Sequence, residues 1–353
     1  MKVARLYDYL DVRIEEEPVP RPGPGEALVR TRACGICSGD VVPWYIRKKA
    51  PLVFGHEPVG EIVEVGAGVT HVTPGTRVFV HHHAPCLACR ACRRGEFVQC
   101  PTWRASQIIP GGMAEYFLVP ETNLAGDTLA LPQTVSDEDG ALVEPTACVV
   151  KSLTRAGQVA DASVLVIGLG VMGQLHVVLA RHFGARQVIG ADLVATRCAH
   201  AHALGADVVV HASSGDLAAH TADVTAGEGA EIVIVGPATI DALELGLRCV
   251  ARGGTVVQFM GTPPEARLQL STNDIYFREI RLVPSYSCGP TETRAALRYI
   301  EEGVVSARQV VTHRFPLTAA REAYRVAAED RNAIKTLVTF GELGGASLLG
   351  PDR

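Results

Sequence analysis

The chain has 353 residues, of which 47% are hydrophobic and 20% charged, with a formal net charge of −5. This is globular composition, long enough for about two domains at roughly 150 residues each. The acidic balance argues against a nucleic-acid partner, which a basic surplus would mark. Arg47-Lys48-Lys49 and Arg93-Arg94 are too short to change that. The opening Met-Lys-Val-Ala-Arg-Leu-Tyr has no apolar signal region and no cleavage site. The most apolar stretch begins at Val164, is broken by Gly168, Gly170 and Gly173 and ends at Arg181, so it does not read as a membrane span. A cytoplasmic chain is expected.

In chain order, the first 150 or so residues carry short alternating runs, such as Ala27–Arg30, Gly60–Val65 and Arg77–Val80, punctuated by Pro18, Pro20, Pro22 and Pro24. That texture predicts a β-rich region with few helices. From Asp137-Glu138-Asp139 the sequence turns helix-like, with acids suited to a helix N-terminus. Six apolar runs then alternate with helix-like segments: Val164–Ile167, Val188–Ala191, Asp207–Val210, Ile232–Val235, Thr255–Phe259 and Ile280–Val283. Segments such as Met172–Phe183 and Ala195–Leu204 separate them, and the alternation predicts a parallel sheet covered on both faces. Thr291–Glu302 and Leu317–Glu329 read as helices and Lys335–Phe340 as a last strand. The tail after Gly341 reads as loose.

Gly168-Leu169-Gly170-Val171-Met172-Gly173 follows the first of the six runs directly and opens a helix-like segment. The strand-to-helix setting gives G-x-G-x-x-G its meaning. Gly168 permits the tight turn, Gly170 lets backbone approach a pyrophosphate, and Gly173 lets helix and strand pack closely. The helix N-terminus then faces the phosphates. Asp192 ends the next apolar run, where an acid accepts hydrogen bonds from ribose hydroxyls and repels a 2′-phosphate. NAD is therefore expected over NADP, although Arg197 could meet such a phosphate. Gly236, Pro237, Met260, Gly261 and Ser285, at or just beyond the ends of later runs, are assigned to the same cofactor site.

Of ten cysteines, Cys86, Cys89, Cys92 and Cys100 crowd into fifteen positions. Four thiolates at this spacing can close a tetrahedral zinc site with no place for water, which makes a structural centre. An iron–sulfur cluster or free thiols are the alternatives.

Gly55-His56-Glu57-Pro58-Val59-Gly60, Cys34-Gly35-Ile36-Cys37-Ser38-Gly39-Asp40, the four-cysteine lobe, Gly111-Gly112-Met113-Ala114-Glu115-Tyr116 and the dinucleotide turn occur in that family's order and resemble the zinc-dependent medium-chain alcohol dehydrogenases. The resemblance runs from about residue 1 to 340. It implies a GroES-like β-rich catalytic domain (1–153 and 289–353, with a structural zinc lobe at 81–101) and a doubly wound Rossmann domain (154–288). It implies a catalytic zinc on Cys37 and His56, with Glu57 or Glu144 as third ligand and Asp40 orienting His56. Glu144 lies in Glu144-Pro145, which resembles the polyol and threonine dehydrogenase branch. Cys148 is a weaker candidate. One thiolate, one imidazole and one carboxylate leave a position open for substrate oxygen.

The sequence departs from the family pattern at the proton relay. Ser38 sits one position early, Gly39 stands where a hydroxyl is usual, and Val42 and Lys151 replace histidines. In an extended segment Ser38 would face away from substrate; Ser38, a water held by Glu144, or one of His81–His83 is left as relay. The histidine triplet otherwise reads as an ordinary strand end. Trp44, Tyr45, Ile46 and Phe54 are candidate pocket residues. The expected activity is hydride transfer between NAD and a secondary alcohol, polyol or hydroxy-amino acid. The competing reading is an NAD-binding zinc–thiolate redox sensor without turnover; a zinc-ribbon nucleic-acid module is disfavoured by the charge. The resemblance implies a homodimer or homotetramer.

Overall fold

The computed structural model describes residues 1–213 and 215–341; the tail after Gly341 lies outside them. Six strands form one wholly parallel sheet, in the order Val208–His211, Gln187–Asp192, Ser163–Ile167, Ala230–Val235, Val250–Gln258, Arg281–Pro284. In chain sequence this is 3-2-1-4-5-6, the order that places a dinucleotide across its switch point. The central strands are buried on both faces, which is why they read as unbroken apolar runs. The strand expected at Thr255–Phe259 starts earlier, at Val250. Gly253, at φ +73°, and Gly254 interrupt the sequence pattern without ending the strand.

The β-rich part forms a sheet in which Ala27–Gly35 pairs with Glu57–Val65 on one side and Lys335–Thr339 on the other. Arg77–Val80, Thr128–Ala130, Tyr116–Val119 and Val311–Pro316 complete it, and Asp11–Glu16, Lys2–Asp8 and Leu52–Val53 form a smaller sheet. Short helices interrupt this half more than the sequence texture predicts. Pro43–Lys49 and Pro101–Ala105 each start on a proline, whose fixed φ suits a first helical position. The helix expected over Leu317–Glu329 is a 3-10 turn, Leu317–Ala319, followed by Ala320–Glu329.

One core joins the two halves. Ala33, Val59 and Phe79 of the β-rich sheet share it with Val164 and Val166 of the parallel sheet and Leu175 of the helix that follows. The helix Val143–Ala156 runs through that core and is buried along nearly its whole length. Its first turn carries Glu144 to the junction of the two halves.

Candidate active site and metal centres

Cys37 follows the strand Ala27–Gly35 and caps the 3-10 helix Ser38–Val41, its Sγ accepting the Gly39 N–H at 3.3 Å. The segment is therefore helical, and the face-alternation expected for Ser38 does not apply. Tyr324 donates to the Asp40 carbonyl at 2.7 Å and pins this turn. His56 follows Gly55, at φ +89°, where a Cβ would lie 2.8–2.9 Å from Met113 and Cys34. Only glycine fits there, and the turn it makes brings His56 Nδ1 to 3.3 Å from Asp40 Oδ2. Burial disfavours the imidazolium, but the charges of Asp40 and Cys37 outweigh it and raise the His56 pKa well above the ordinary value. A carboxylate on one ring nitrogen is the arrangement that orients a metal-bound imidazole.

The donor atoms of Cys37, His56 and Glu57 lie within 4.8 Å of one another. Glu57 is fully buried and ion-paired to the equally buried Lys335, whose Nζ also donates to the Ile36 carbonyl at 3.1 Å. The carboxylate holds Lys335 protonated against the cost of burial. Gly35 makes room: a Cβ there would sit 1.7 Å from Glu57 Oε2. The other oxygen, Glu57 Oε1, is buried without a partner, which costs on the order of 1–3 kcal/mol unless something binds it. Thiolate, imidazole and an orphaned carboxylate oxygen at this separation fit a zinc ion. Glu144 lies across from this set. Its Oε1 accepts from Cys148 Sγ at 3.2 Å, and its carboxylate is within 4.8 Å of His81 and Cys288.

The histidine triplet is more than a strand end. His82 packs its ring 4.7 Å from that of His56, and His83 follows at 4.0 Å from His82 and 4.3 Å from Trp103. Burial pushes the His82 pKa well below its usual value and that of His83 down to about 4, so both rings are neutral near pH 7. His82 Nδ1 has no hydrogen-bond partner. Trp103 meets Tyr286 edge-on at 5.9 Å, and Tyr286 and Tyr45 lie close enough for their hydroxyls to influence each other electrostatically. Of the expected pocket residues, Trp44 and Tyr45 are half-buried. Ile46 and Phe54 are not pocket residues: both are 0–1% exposed, and Phe54 packs edge-on against Tyr324 in the core of the small sheet.

The four cysteines of the lobe converge and none is in a disulfide. Sγ separations are 3.5 Å for Cys89–Cys92, 3.6 Å for Cys100–Cys86 and 4.0 Å for Cys86–Cys92. A tetrahedron with Zn–S of about 2.3 Å has edges of about 3.8 Å, so the set fits a zinc ion as it stands. Burial resists ionisation of Cys100, but backbone N–H groups of Cys86 and Trp103 outweigh it and bring its pKa to about 6. The lobe's own apolar core holds little beyond Val98, Trp103 and the cysteines themselves.

At the dinucleotide turn each glycine shows its reason. Gly168 has φ +89°, and its Cβ would press on Pro237; a Cβ on Gly173 would lie 2.0 Å from the Gly168 carbonyl. At Gly170 the nearest atom would be Arg197 Nη1, at 3.7 Å, so that face is open for a ligand. Leu169 is buried, and the helix Val171–His182, with Met172 in its first turn, points its N-terminus at the opening. Asp192 accepts from Leu169 N at 2.6 Å and Val194 N at 2.8 Å. Arg197 is tied to the Ala333 carbonyl at 3.0 Å, with its Nε unpartnered. Gly236 donates to the Ile167 carbonyl, and Ser285 N to Gln258 O, whose side chain reaches Met260 O. Gly261 faces open space. Lys335, Trp103, Asp127 and Tyr286 escaped the sequence reading. Only Lys335 leaves a trace there, as the one charged residue of the last strand.

Residues 23–129 match the family described as alcohol dehydrogenase GroES-like domain, and residues 171–302 that described as zinc-binding dehydrogenase. Sorbitol dehydrogenase of Ovis aries is 32% identical over 327 residues, 89% of each chain. L-threonine 3-dehydrogenase of Pyrococcus horikoshii is 31% identical, over 85% of this chain and 87% of its own. Among solved structures, a zinc-binding dehydrogenase of Sinorhizobium meliloti bound to NADP superposes with a TM-score of 0.86 at 30% identity, covering 96% of this chain and 98% of its own. 2R,3R-butanediol dehydrogenase of Bacillus subtilis superposes at 0.84 with 26% identity, covering 96% and 99%. With the metal donors and the dinucleotide turn in place, the chain belongs to the zinc-dependent medium-chain alcohol dehydrogenase family, oxidoreductases of CH–OH donors that use zinc and a nicotinamide dinucleotide.

Proposed function

We propose that this protein oxidises a secondary alcohol, polyol or hydroxy-amino acid with NAD, or reduces the corresponding carbonyl. The observation that carries the reading is the convergence of Cys37, His56 and the orphaned Glu57 oxygen in front of Asp40. Cys37 and His56 hold the zinc, and Glu57, whose free oxygen lies beside them, is the carboxylate that completes its shell; Glu144 groups instead with His81 and Cys288. Zinc bound there supplies Lewis acidity towards an alcohol oxygen. The chain's own residues do the rest. Asp40 fixes the His56 tautomer, and Lys335 pairs with Glu57, working against the burial that raises the Glu57 pKa. His82 Nδ1, neutral and unpartnered, accepts a hydrogen bond from a substrate hydroxyl, in place of the hydroxyl missing at Gly39. Tyr45 and Tyr286 wall the site, with the buried Trp103 packed behind Tyr286. Tyr286, just past the parallel strand Arg281–Pro284, ties that wall to the cofactor side, where the nicotinamide is the hydride acceptor.

Asp192, at the end of its strand beside the turn, supports NAD over NADP by charge. Domain limits of 1–153 plus 289–353, and 154–288, follow the split between the two sheets. A homo-oligomer is supported by the edge strand Arg281–Pro284 and by the helix Thr272–Arg278, which buries no residue and exposes Tyr276 and Phe277 at 75% and 64%. No helix among the described residues is long and apolar enough to cross a membrane. The test is NAD and NADP reduction by zinc-loaded protein across primary alcohols, secondary alcohols, polyols and threonine. Turnover with one of the last three classes, faster with NAD, is expected; reduction confined to primary alcohols, or faster with NADP, contradicts the reading.

A further inference from the structure

A second set of metal donors lies behind the first. His81, Cys288 and Glu144 come from three distant parts of the chain, and their ligand atoms lie within 4.8 Å of one another. They are 0%, 0% and 4% exposed. Cys288 Sγ is 3.7 Å from His81 Nε2. The edge of a zinc tetrahedron between a sulfur at about 2.3 Å and a nitrogen at about 2.0 Å is about 3.5 Å, so this pair is already set to share an ion. Cys148 adds a second sulfur, 3.2 Å from Glu144 Oε1.

The support behind His81 points the same way. Its Nδ1 donates to Asp127 Oδ2 at 2.8 Å, both side chains being fully buried. Asp127 Oδ1 in turn accepts from Thr293 Oγ1 at 2.6 Å. Asn123 Nδ2 holds the carbonyls of His81 and His82 at 3.1 and 3.0 Å. A carboxylate fixed on Nδ1 orients the ring and leaves Nε2 as the donor, which is how metal-binding histidines are held.

We propose that His81, Cys288 and Glu144, with Cys148 beside them, bind a third metal ion, a thiophilic divalent cation such as zinc, distinct from the ions on Cys37–His56 and on the four-cysteine lobe. Sulfur, imidazole and carboxylate together select zinc over calcium or magnesium, which prefer all-oxygen shells. The site stitches the start of the helix Val143–Ala156 and the end of the strand Arg77–Val80 to the segment leaving the parallel sheet at Pro284. Because its donors are sealed from solvent, the ion enters as the chain folds and resists brief chelation.

The test is zinc content per chain by mass spectrometry, on full-length protein refolded in zinc and desalted, for wild type, Cys288→Ala, Cys148→Ala and Cys37→Ser. The proposal expects three zinc ions in the wild type, two in Cys288→Ala, two in Cys37→Ser, and a weakened third ion in Cys148→Ala. Circular dichroism checks that each variant folds. Cobalt substitution separates the sites: a thiolate–cobalt absorption component should vanish in Cys288→Ala and persist in Cys37→Ser. Two zinc ions in the wild type, or a count unchanged by Cys288→Ala, overturns the third site and leaves His81 as an imidazole hydrogen-bonded between Asp127 and Cys288. Loss of one ion in Cys37→Ser would uphold the catalytic site in either case.

Discussion

At the scale of single residues, the site is built from charges that are buried and answered. Asp40 is 5% exposed and lies behind His56; Asp40→Asn keeps the shape and removes the charge. It should weaken zinc binding by about 10–100-fold, read by competition with a chelator; unchanged affinity would remove Asp40 from that role. Lys335→Met leaves the Glu57 carboxylate buried and unpaired. Breaking a buried pair in this way costs about 3–5 kcal/mol, so a clear fall in thermal midpoint is expected, and Glu57→Gln in the same chain should restore part of it. No recovery in the double variant would mean that the pair does not carry this energy. The sequence showed Cys37, His56, Glu57 and Asp40 because they stand in short local motifs. It could not show which of them meet. Glu57's partner lies 278 positions away, and His82 meets His56 through pairing of Glu57–Val65 with Arg77–Val80, a contact that strand register creates and local pattern does not encode.

At the scale of elements, the four-cysteine lobe and the dinucleotide turn were legible for the same reason: each is a contiguous segment whose chemistry fixes its shape. Cys100 is fully buried at the centre of the lobe's small core. Cys100→Ser should cost one zinc ion and make the chain between residues 86 and 105 the first site of protease cleavage, measured by limited proteolysis with mass mapping; cleavage elsewhere first would show that the lobe is ordered without the metal. The six parallel strands were visible because their buried faces leave unbroken apolar runs. The short helices of the β-rich half were not, since four to seven residues carry too little periodicity. Ser38-Gly39-Asp40 has no helical pattern, so the sequence alone suggests an extended segment after Cys37. The Cys37 cap and the Tyr324 hydroxyl, from the far end of the chain, hold it helical.

At the scale of the whole molecule, one core spans both halves, so stability and site geometry are coupled. His176 in that core is 1% exposed, with Nδ1 donating to the Met172 carbonyl and Nε2 meeting the Ser152 hydroxyl. Burial holds its pKa down at about 4. The unfolded chain takes up this proton near pH 6.5 and the folded chain only near 4, so the contribution is whole above the upper value and is lost as pH falls through the window. That loss is at most about 3 kcal/mol. Melting curves from pH 7 to 4 should show the decline, and His176→Gln should flatten it; an unchanged slope would place the proton uptake elsewhere. The central claim is that the Cys37–His56 site and the Gly168–Gly173 turn act as one alcohol dehydrogenase site, and its most direct measurement is NAD reduction by zinc-loaded wild type and Cys37→Ser across the alcohol panel. Turnover of a secondary alcohol, polyol or threonine by the wild type, falling at least a hundredfold in Cys37→Ser while NAD still binds, is the predicted result. NAD binding without turnover of any alcohol in the wild type would contradict it and would favour a cofactor-responsive zinc–thiolate sensor.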